Sequence, residues 1–302
     1  MKSDKLLYDR IMESIDLGTK LALKDIPETV SYPLLEGIDF DDLTKEVWYV
    51  PEEINVETSV QTNPTMFKDI KTNIEIWSLF KRKKSDKDLE WDSYDGNPLL
   101  YALKNEKQWH FRTNRDKHII VSLFETLLKK FFNEHKFNVT VVMPSGSRLN
   151  TMFTTLIQTV NRNAYIITDM LRKLSCSEVW DILNDDYSEF KMHFGKNRDS
   201  WNNANTYINA AFRRMNKERK GYFSYRLLPE DPNNYRDYIT KTLALEDWSQ
   251  ARYAYDLFDK DILLIDDAMS RGASIRNACE IIDTFKPKSI TVFTLFSKNN
   301  TE

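Results

Sequence analysis

The feature of this sequence that most constrains its fold is the aliphatic run Ile-Leu-Leu-Ile at residues 262–265, which Asp266 and Asp267 follow directly. Four consecutive aliphatic residues with β-branched side chains at both ends predict a short strand buried on both faces, as in a parallel sheet. Apolar positions at helical spacing over residues 275–282 then predict a helix. Because open α/β sheets bind ligands at the carboxyl ends of their strands, we expect the two carboxylates to lie at a ligand-binding edge.

The turn between this strand and this helix has the composition of a phosphate-binding loop. It is made of small and hydroxylated residues, and its glycine permits positive φ and close approach of the backbone to a ligand. Free backbone N–H groups and the dipole at a helix N-terminus favour a phosphate there. Carboxylates beside a phosphate would repel it, so the acidic pair is expected to face sugar hydroxyls or a hydrated cation such as Mg²⁺. The predicted phosphate-loop residues are Ala268, Met269, Ser270, Arg271, Gly272, Ala273 and Ser274.

A second turn of the same kind occurs earlier in the chain. Glycine is scarce, with seven in 302 residues, so each one is expected where backbone geometry demands it. Gly146 follows a second aliphatic run, at residues 139–143, and precedes a helix predicted over about 151–160. The backbone N–H groups of Ser145, Gly146 and Ser147, together with the guanidinium of Arg148, predict a pocket for a second anion.

Residues 262–274 resemble the phosphoribosyl pyrophosphate (PRPP) motif of type I phosphoribosyltransferases. That motif has four hydrophobic residues, two acids, two variable apolar residues, a hydroxylated residue, a variable residue, Gly, any residue, and Ser or Thr. Arg271 departs from the small Thr or Ala that is common at its position. The predicted helix and a predicted strand at 289–296 resemble the closing elements of the ComF-like branch. The resemblance implies an α/β fold with an open, mainly parallel, twisted sheet flanked by helices.

The resemblance also implies a domain organisation. Residues 1–110 would form a mixed N-terminal α+β extension of unknown role. Residues 111–302 would form a phosphoribosyltransferase-like α/β domain with a long insertion around 170–250.

By this resemblance, Asp266 and Asp267 would hold the ribose 2′- and 3′-hydroxyls, and residues 268–274 would bind the 5-phosphate. Residues 145–148 would bind pyrophosphate bridged by Mg²⁺, which either carboxylate of the acidic pair would contact through water rather than directly. The implied activity is a Mg²⁺-dependent transfer of phosphoribosyl to or from a nucleobase-like acceptor in nucleotide metabolism, with pyrophosphate as leaving group. The alternative is a regulator, or an antiphage effector of the retron type, that binds PRPP or a nucleotide without ordinary salvage activity.

Other protein classes share a strand that ends in two acids. A Walker B strand needs a companion G-x-x-x-x-G-K-[ST] loop, and the one Gly-Lys pair, at residues 195–196, has Phe190 where the first glycine should be. A receiver domain has its acid pair near the start, whereas little more than thirty residues follow the pair in this chain. A strand, turn and helix with a purely structural role stays as the remaining interpretation.

Composition and charge bear on the partners and the cellular compartment of the protein. A net charge of −3 provides no global basic field for nucleic acid. Cys176 and Cys279 lie far apart and are predicted to be buried thiols in a reducing compartment. The charged N-terminus lacks a signal-peptide apolar region, and no apolar run approaches the roughly 18 residues of a membrane span. We therefore expect a cytoplasmic protein without a membrane partner, and leave open a homo-oligomer or a partner protein.

The remaining segments give weaker signals. Spacing predicts helices over 5–22, 65–81, 116–133 and 202–219, and strands over 47–50, 164–168 and 222–228. Basic residues within 213–220 either border the pyrophosphate or bind nucleic acid, and the polar stretch 229–234 is either a lid or an ordinary loop. The four histidines form no spaced cluster, so none is assigned as a base or metal ligand.

Overall fold

The structure is a computed structural model, and its chain divides into two compact units. The first unit comprises the described residues up to 167 together with 260–269 and 288–297. The second comprises the described residues within 168–259 and 272–287. The residues that the structure describes are 37–50, 56–57, 60, 62–69, 71–82, 97–144, 148–219, 221–229, 234–269 and 272–297.

The strands form a large mixed sheet in the first unit and a small antiparallel sheet in the second. The strands are β1 (Gly37–Asp41), β2 (Glu46–Val50), β3 (Val56–Glu57), β4 (Thr65–Lys68), β5 (Glu75–Arg82), β6 (His110–Phe111), β7 (Val139–Val142), β8 (Tyr165–Ile167), β9 (Leu171–Lys173), β10 (Leu243–Leu245), β11 (Asp261–Met269) and β12 (Ser289–Ser297). The large sheet has the order β6-β2-β1-β3-β5-β12-β11-β7-β8, with β4 paired to β5, whereas β9 and β10 form the small sheet.

Five neighbouring strands of the large sheet, β5, β12, β11, β7 and β8, run parallel to one another. The N-terminal strands β1, β3 and β4 join this parallel part through antiparallel pairing. The molecule is therefore a mixed α/β protein. The two compact units do not meet at the expected boundary at residue 110, because the N-terminal strands share one sheet with β7, β11 and β12.

Helices lie between these strands along the chain. In the first unit they are α1 (Asn97–Lys104), α2 (Asn114–Glu134) and α3 (Arg148–Val160). In the second unit they are α4 (Cys176–Asn184), α5 (Glu189–Phe194), α6 (Arg198–Arg219), α7 (Ser249–Leu257) and α8 (Ala273–Asp283). None of the helices in the described ranges is both long enough and apolar enough to cross a membrane.

The core of the first unit lies between the sheet and α2. The predicted apolar stripe at 116–133 is confirmed, since α2 buries Phe124 and Phe131 in the core, where Phe131 lies against Phe293 of β12. Thr113 caps the start of this helix by accepting a hydrogen bond from the Asp116 N–H. Residues Leu263 and Ile265 of β11 belong to the same core, so this face of β11 is turned toward the helices of the first unit.

The second unit has its own core, formed mainly by α4, α5 and α6 around Val179, Phe190 and Ile208. The predicted helix at 202–219 is confirmed as part of α6. Both cysteines are free buried thiols, as predicted, and burial raises the pKa of Cys176. In the same unit, the Asn277 side chain in α8 accepts hydrogen bonds from the Thr242 and Leu243 N–H groups, which ties α8 to β10.

Two secondary-structure predictions are wrong. The helix predicted over 65–81 is instead the hairpin of β4 and β5, joined by a turn in which Asn73 has φ 58° and the Asp69 side chain accepts a hydrogen bond from the Thr72 N–H. The polar signals of this turn outweigh the apolar spacing on either side of it. The strand predicted over 222–228 contains a 3₁₀ turn at Tyr225–Leu227. The helix predicted over 5–22 and most of the lid stretch lie outside the described residues.

Candidate functional site

The carboxyl ends of β7 and β11 meet where the order of strands in the sheet reverses. Along the chain β7 is followed by its neighbour β8, whereas the next strand of this sheet, β11, lies on the other side of β7. In open α/β sheets the crevice outside the strand ends at such a reversal is where ligands bind. The sheet therefore has a ligand-binding geometry at the edge where both predicted loops begin.

The acidic pair lies at this edge. Pairing between β7 and β11 extends to Val142 and Ile265, after which the Met143 N–H donates to the Ile265 carbonyl over 2.9 Å. Asp266 and Asp267 are the next two residues of β11. On the side of β7 they stand at the strand ends, as the sequence predicts.

On the side of β12 the strand continues further than predicted. Ala268 pairs with Phe296, and Met269 pairs with Ser297. The prediction that residues 268 and 269 belong to the loop is therefore wrong, because the nine-residue β12 extends the ladder beyond the aliphatic run. Ser270 and Arg271 lie outside the described residues, and residues 273–274 begin α8.

The two carboxylates of the acidic pair face opposite sides of the sheet, as neighbouring residues of a strand do. Asp267 lies on the face that carries Leu263 and Ile265, and this face is turned toward the helices of the first unit. Asp266 lies on the other face, in register with Thr294 of β12. The Asp266 Oδ1 atom also accepts a hydrogen bond of 2.8 Å from the Asp267 N–H.

Asp267 forms a buried ion pair with Lys104, the last residue of α1. The lysine Nζ donates to the Oδ2 atom of the carboxylate. Only 2% of the lysine side chain is exposed, against 13% of the aspartate side chain. Sequence reasoning missed Lys104, and no sequence pattern could have identified it, since 163 positions separate the two residues.

The start of α8 has the backbone conformation that the sequence predicts. Gly272 caps the helix with φ 74° and ψ 2°, in the left-handed region that favours glycine. Its carbonyl accepts the Arg276 N–H over 2.8 Å, which closes the first turn. The N–H groups of such a first turn have no partners within the helix and point along its axis.

Positive charge gathers near the first turn of α8 within the second unit. Burial raises the pKa of the Tyr225 phenol, and the charges of Arg276 and Arg236 act on the same phenol in the opposite direction. The Arg236 Nη2 atom donates to the Tyr225 carbonyl over 2.9 Å. The charges of two arginines thus act on one tyrosine in this region, and one of these arginines donates to its backbone carbonyl.

The second predicted loop is described only at its edges. Ser145, Gly146 and Ser147 lie outside the described residues, and Arg148 is the first residue of α3. Asn150, in the first turn of α3, is 6% exposed and donates from Nδ2 to the Met143 carbonyl over 2.8 Å. Its Oδ1 atom is buried, and no donor reaches it among the residues that the structure describes. Sequence reasoning missed this asparagine, although a polar residue just after a small-residue turn is a visible signal.

The acidic pair alone does not form a metal cage. In the described residues no group of three or more His, Cys, Asp or Glu side chains is arranged to hold a metal ion. The two carboxylates also diverge to opposite faces of β11. The residues present fit Mg²⁺ only as an ion that a phosphate ligand brings with it, contacting one carboxylate through water.

Neither protein-family models nor curated protein sequences match the chain. The resemblance to phosphoribosyltransferases therefore stays an expectation that depends on residues 262–274.

Proposed function

We propose that this protein binds PRPP at the carboxyl edge of β7 and β11 and transfers its phosphoribosyl group to or from a nucleobase-like acceptor. The supporting observation is the order of elements along the chain. A strand with two carboxylates at this edge is followed by a left-handed glycine cap and an eleven-residue helix. A helix N-terminus after a strand end at a reversal of strand order is a common place for a phosphate-bearing ligand.

Each part of PRPP has a proposed partner in the chain. Asp266 or Asp267 would accept hydrogen bonds from the two ribose hydroxyls. The backbone at 272–274 would bind the 5-phosphate, and the nearby Arg276 would add positive charge. Residues 145–148 would bind the pyrophosphate. The two buried free thiols fit an enzyme of nucleotide metabolism in the reducing cytoplasm.

The reaction would be a displacement at C1 of the ribose. A nitrogen of the acceptor forms a bond to C1 while the bond from C1 to the pyrophosphate oxygen breaks, and its electron pair leaves with the pyrophosphate. The acceptor nitrogen then releases its proton to solvent. Because positive charge develops on the sugar, a carboxylate beside the ribose would stabilise it. Mg²⁺, when bound with the pyrophosphate, would supply charge neutralisation of the leaving group.

Calorimetric titration with PRPP and MgCl₂ tests the binding step. We expect the wild-type protein to bind, and the double substitution Asp266→Asn with Asp267→Asn to weaken binding by at least about 100-fold, the loss of two charge-assisted hydrogen bonds. Asp261→Asn, at the amino end of the same strand, is the matched control and should bind as the wild type does. Absence of binding by the wild type would refute the proposal.

A survey of free nucleobases then separates transfer from sensing. Release of pyrophosphate in the presence of one base would support the transferase and identify the acceptor. Tight PRPP binding without release for any base would instead favour the regulator or antiphage effector.

A further inference from the structure

We propose that Lys104 is the positioning residue of this site, which holds the Asp267 carboxylate by its Oδ2 atom so that the Oδ1 atom can accept a ribose hydroxyl. This inference rests on the proposed function. It assigns a role to a residue from α1, which lies outside both loops of the site.

The burial of the pair limits what the lysine can do. With 2% of its side chain exposed, Lys104 cannot reach a ligand in this conformation, whereas Asp267 retains 13% exposure. Lys104 ends α1, whose Leu99 and Leu103 side chains are buried in the core of the first unit. The ammonium group is therefore anchored by a rigid element and acts on the site through the carboxylate alone.

A gain in the stability of the fold does not by itself explain a buried lysine–aspartate pair. Burying a lysine and an aspartate removes both from water, and their attraction often only offsets that cost. β11 carries a second lysine–aspartate pair at its other end for comparison. There, Lys288 Nζ lies 3.1 Å from Asp261 Oδ2, with 64% and 30% of the two side chains exposed. The same strand thus has a solvated pair at its amino end and a buried pair at its carboxyl edge.

Positioning has a chemical benefit for the proposed site. An aspartate fixed through one oxygen loses less conformational freedom when its other oxygen accepts a hydroxyl hydrogen bond. A charged acceptor also makes a stronger hydrogen bond than a neutral one.

The test compares Lys104→Met with Lys288→Met, using PRPP with Mg²⁺ and inorganic pyrophosphate with Mg²⁺ as separate ligands. Lys104→Met should weaken PRPP binding by about tenfold or more, the value of one charge-assisted hydrogen bond. It should leave pyrophosphate binding within about threefold of wild type, because pyrophosphate has no ribose. Lys288→Met should bind both ligands as the wild type does.

A double-mutant cycle tests whether the lysine acts through Asp267, and it also covers the case in which Lys104→Met fails to fold. Asp267→Asn combined with Lys104→Met leaves no uncompensated buried charge. This double variant should bind PRPP within about twofold of Asp267→Asn alone, because no carboxylate is left to position.

The outcomes are distinct. Unchanged PRPP affinity in Lys104→Met would overturn the inference. An equal loss of affinity for PRPP and pyrophosphate in Lys104→Met would show a general effect and would also overturn the inference. A further loss of PRPP affinity when Lys104→Met is added to Asp267→Asn would show a direct effect, with the same consequence. Failure of the wild type to bind PRPP would refute the proposed function itself, and the inference with it.

Discussion

Substitution of Gly272 by alanine should have two measurable effects, a loss of stability from the strain of a left-handed backbone and a loss of phosphate binding. The residue has φ 74°, a conformation that costs an ordinary L-residue about 1–2 kcal/mol. Alanine also reduces the conformational freedom of the unfolded chain, which recovers about 0.4–1 kcal/mol. The Gly272→Ala variant should therefore lose about 1 kcal/mol of unfolding free energy.

Gly221 provides the matched control because it lies in the same unit with φ 86°. A Cβ atom there would lie 3.3 Å from the Asn216 Oδ1 atom, the end of a side chain that can move. Gly221→Ala should therefore lose a similar amount of stability in urea unfolding followed by tryptophan fluorescence.

The two variants should differ in ligand binding. The loop after β11 is proposed to hold the 5-phosphate through its backbone, and a methyl group and a shifted backbone at residue 272 would disturb that contact. Gly272→Ala should weaken PRPP affinity by about tenfold or more, and Gly221→Ala should leave it unchanged. Equal affinities for Gly272→Ala and the wild type would refute the assignment of the phosphate to this loop.

Two further predictions concern hydrogen bonds away from the acidic pair. Glu178 has its pKa lowered from 4.5 to about 2 by hydrogen bonds from Arg172 and the Ser175 N–H, so its stabilisation is present above pH 4.5 and is lost as the pH falls toward 2. Because 38% of the Glu178 side chain is exposed, Glu178→Gln should lower the free energy of unfolding by only about 1 kcal/mol at pH 7 and by almost nothing near pH 2. Urea unfolding at the two pH values measures this difference. A loss of stability that does not change with pH would contradict the prediction. Asn150→Ala should cost about 1–3 kcal/mol because it leaves the Met143 carbonyl without its donor, and unchanged stability would show that this bond contributes nothing.

The parts of the fold that the sequence predicts are those with local periodicity. The stripe of α2, the strands β7, β11 and β12, and the helix α8 all follow from the spacing of apolar residues within one element. Gly272 is equally predictable, since a rare glycine before a helix indicates a left-handed cap. The sequence predicts a helix in place of β4 and β5 because the apolar residues of the two strands, taken together across a polar turn, have helical spacing.

The site is predictable only in part, for a different physical reason. The acidic pair is visible because both carboxylates follow one aliphatic run. Their divergence to opposite faces follows only once β11 is known to continue past them. The partnership of Lys104 and Asp267 depends on the packing of α1 against the sheet, which no local pattern encodes. Arg236 and Arg276 likewise come near Tyr225 through tertiary folding alone.

A crystal structure of the protein with PRPP and Mg²⁺ would test the proposed site most directly. We predict the 5-phosphate at the backbone of residues 272–274 and the ribose hydroxyls within hydrogen-bond distance of Asp266 or Asp267. We also predict the Lys104 Nζ atom still bound to Asp267 in the complex. PRPP bound elsewhere on the molecule, or a ribose that contacts neither carboxylate, would refute the proposed site.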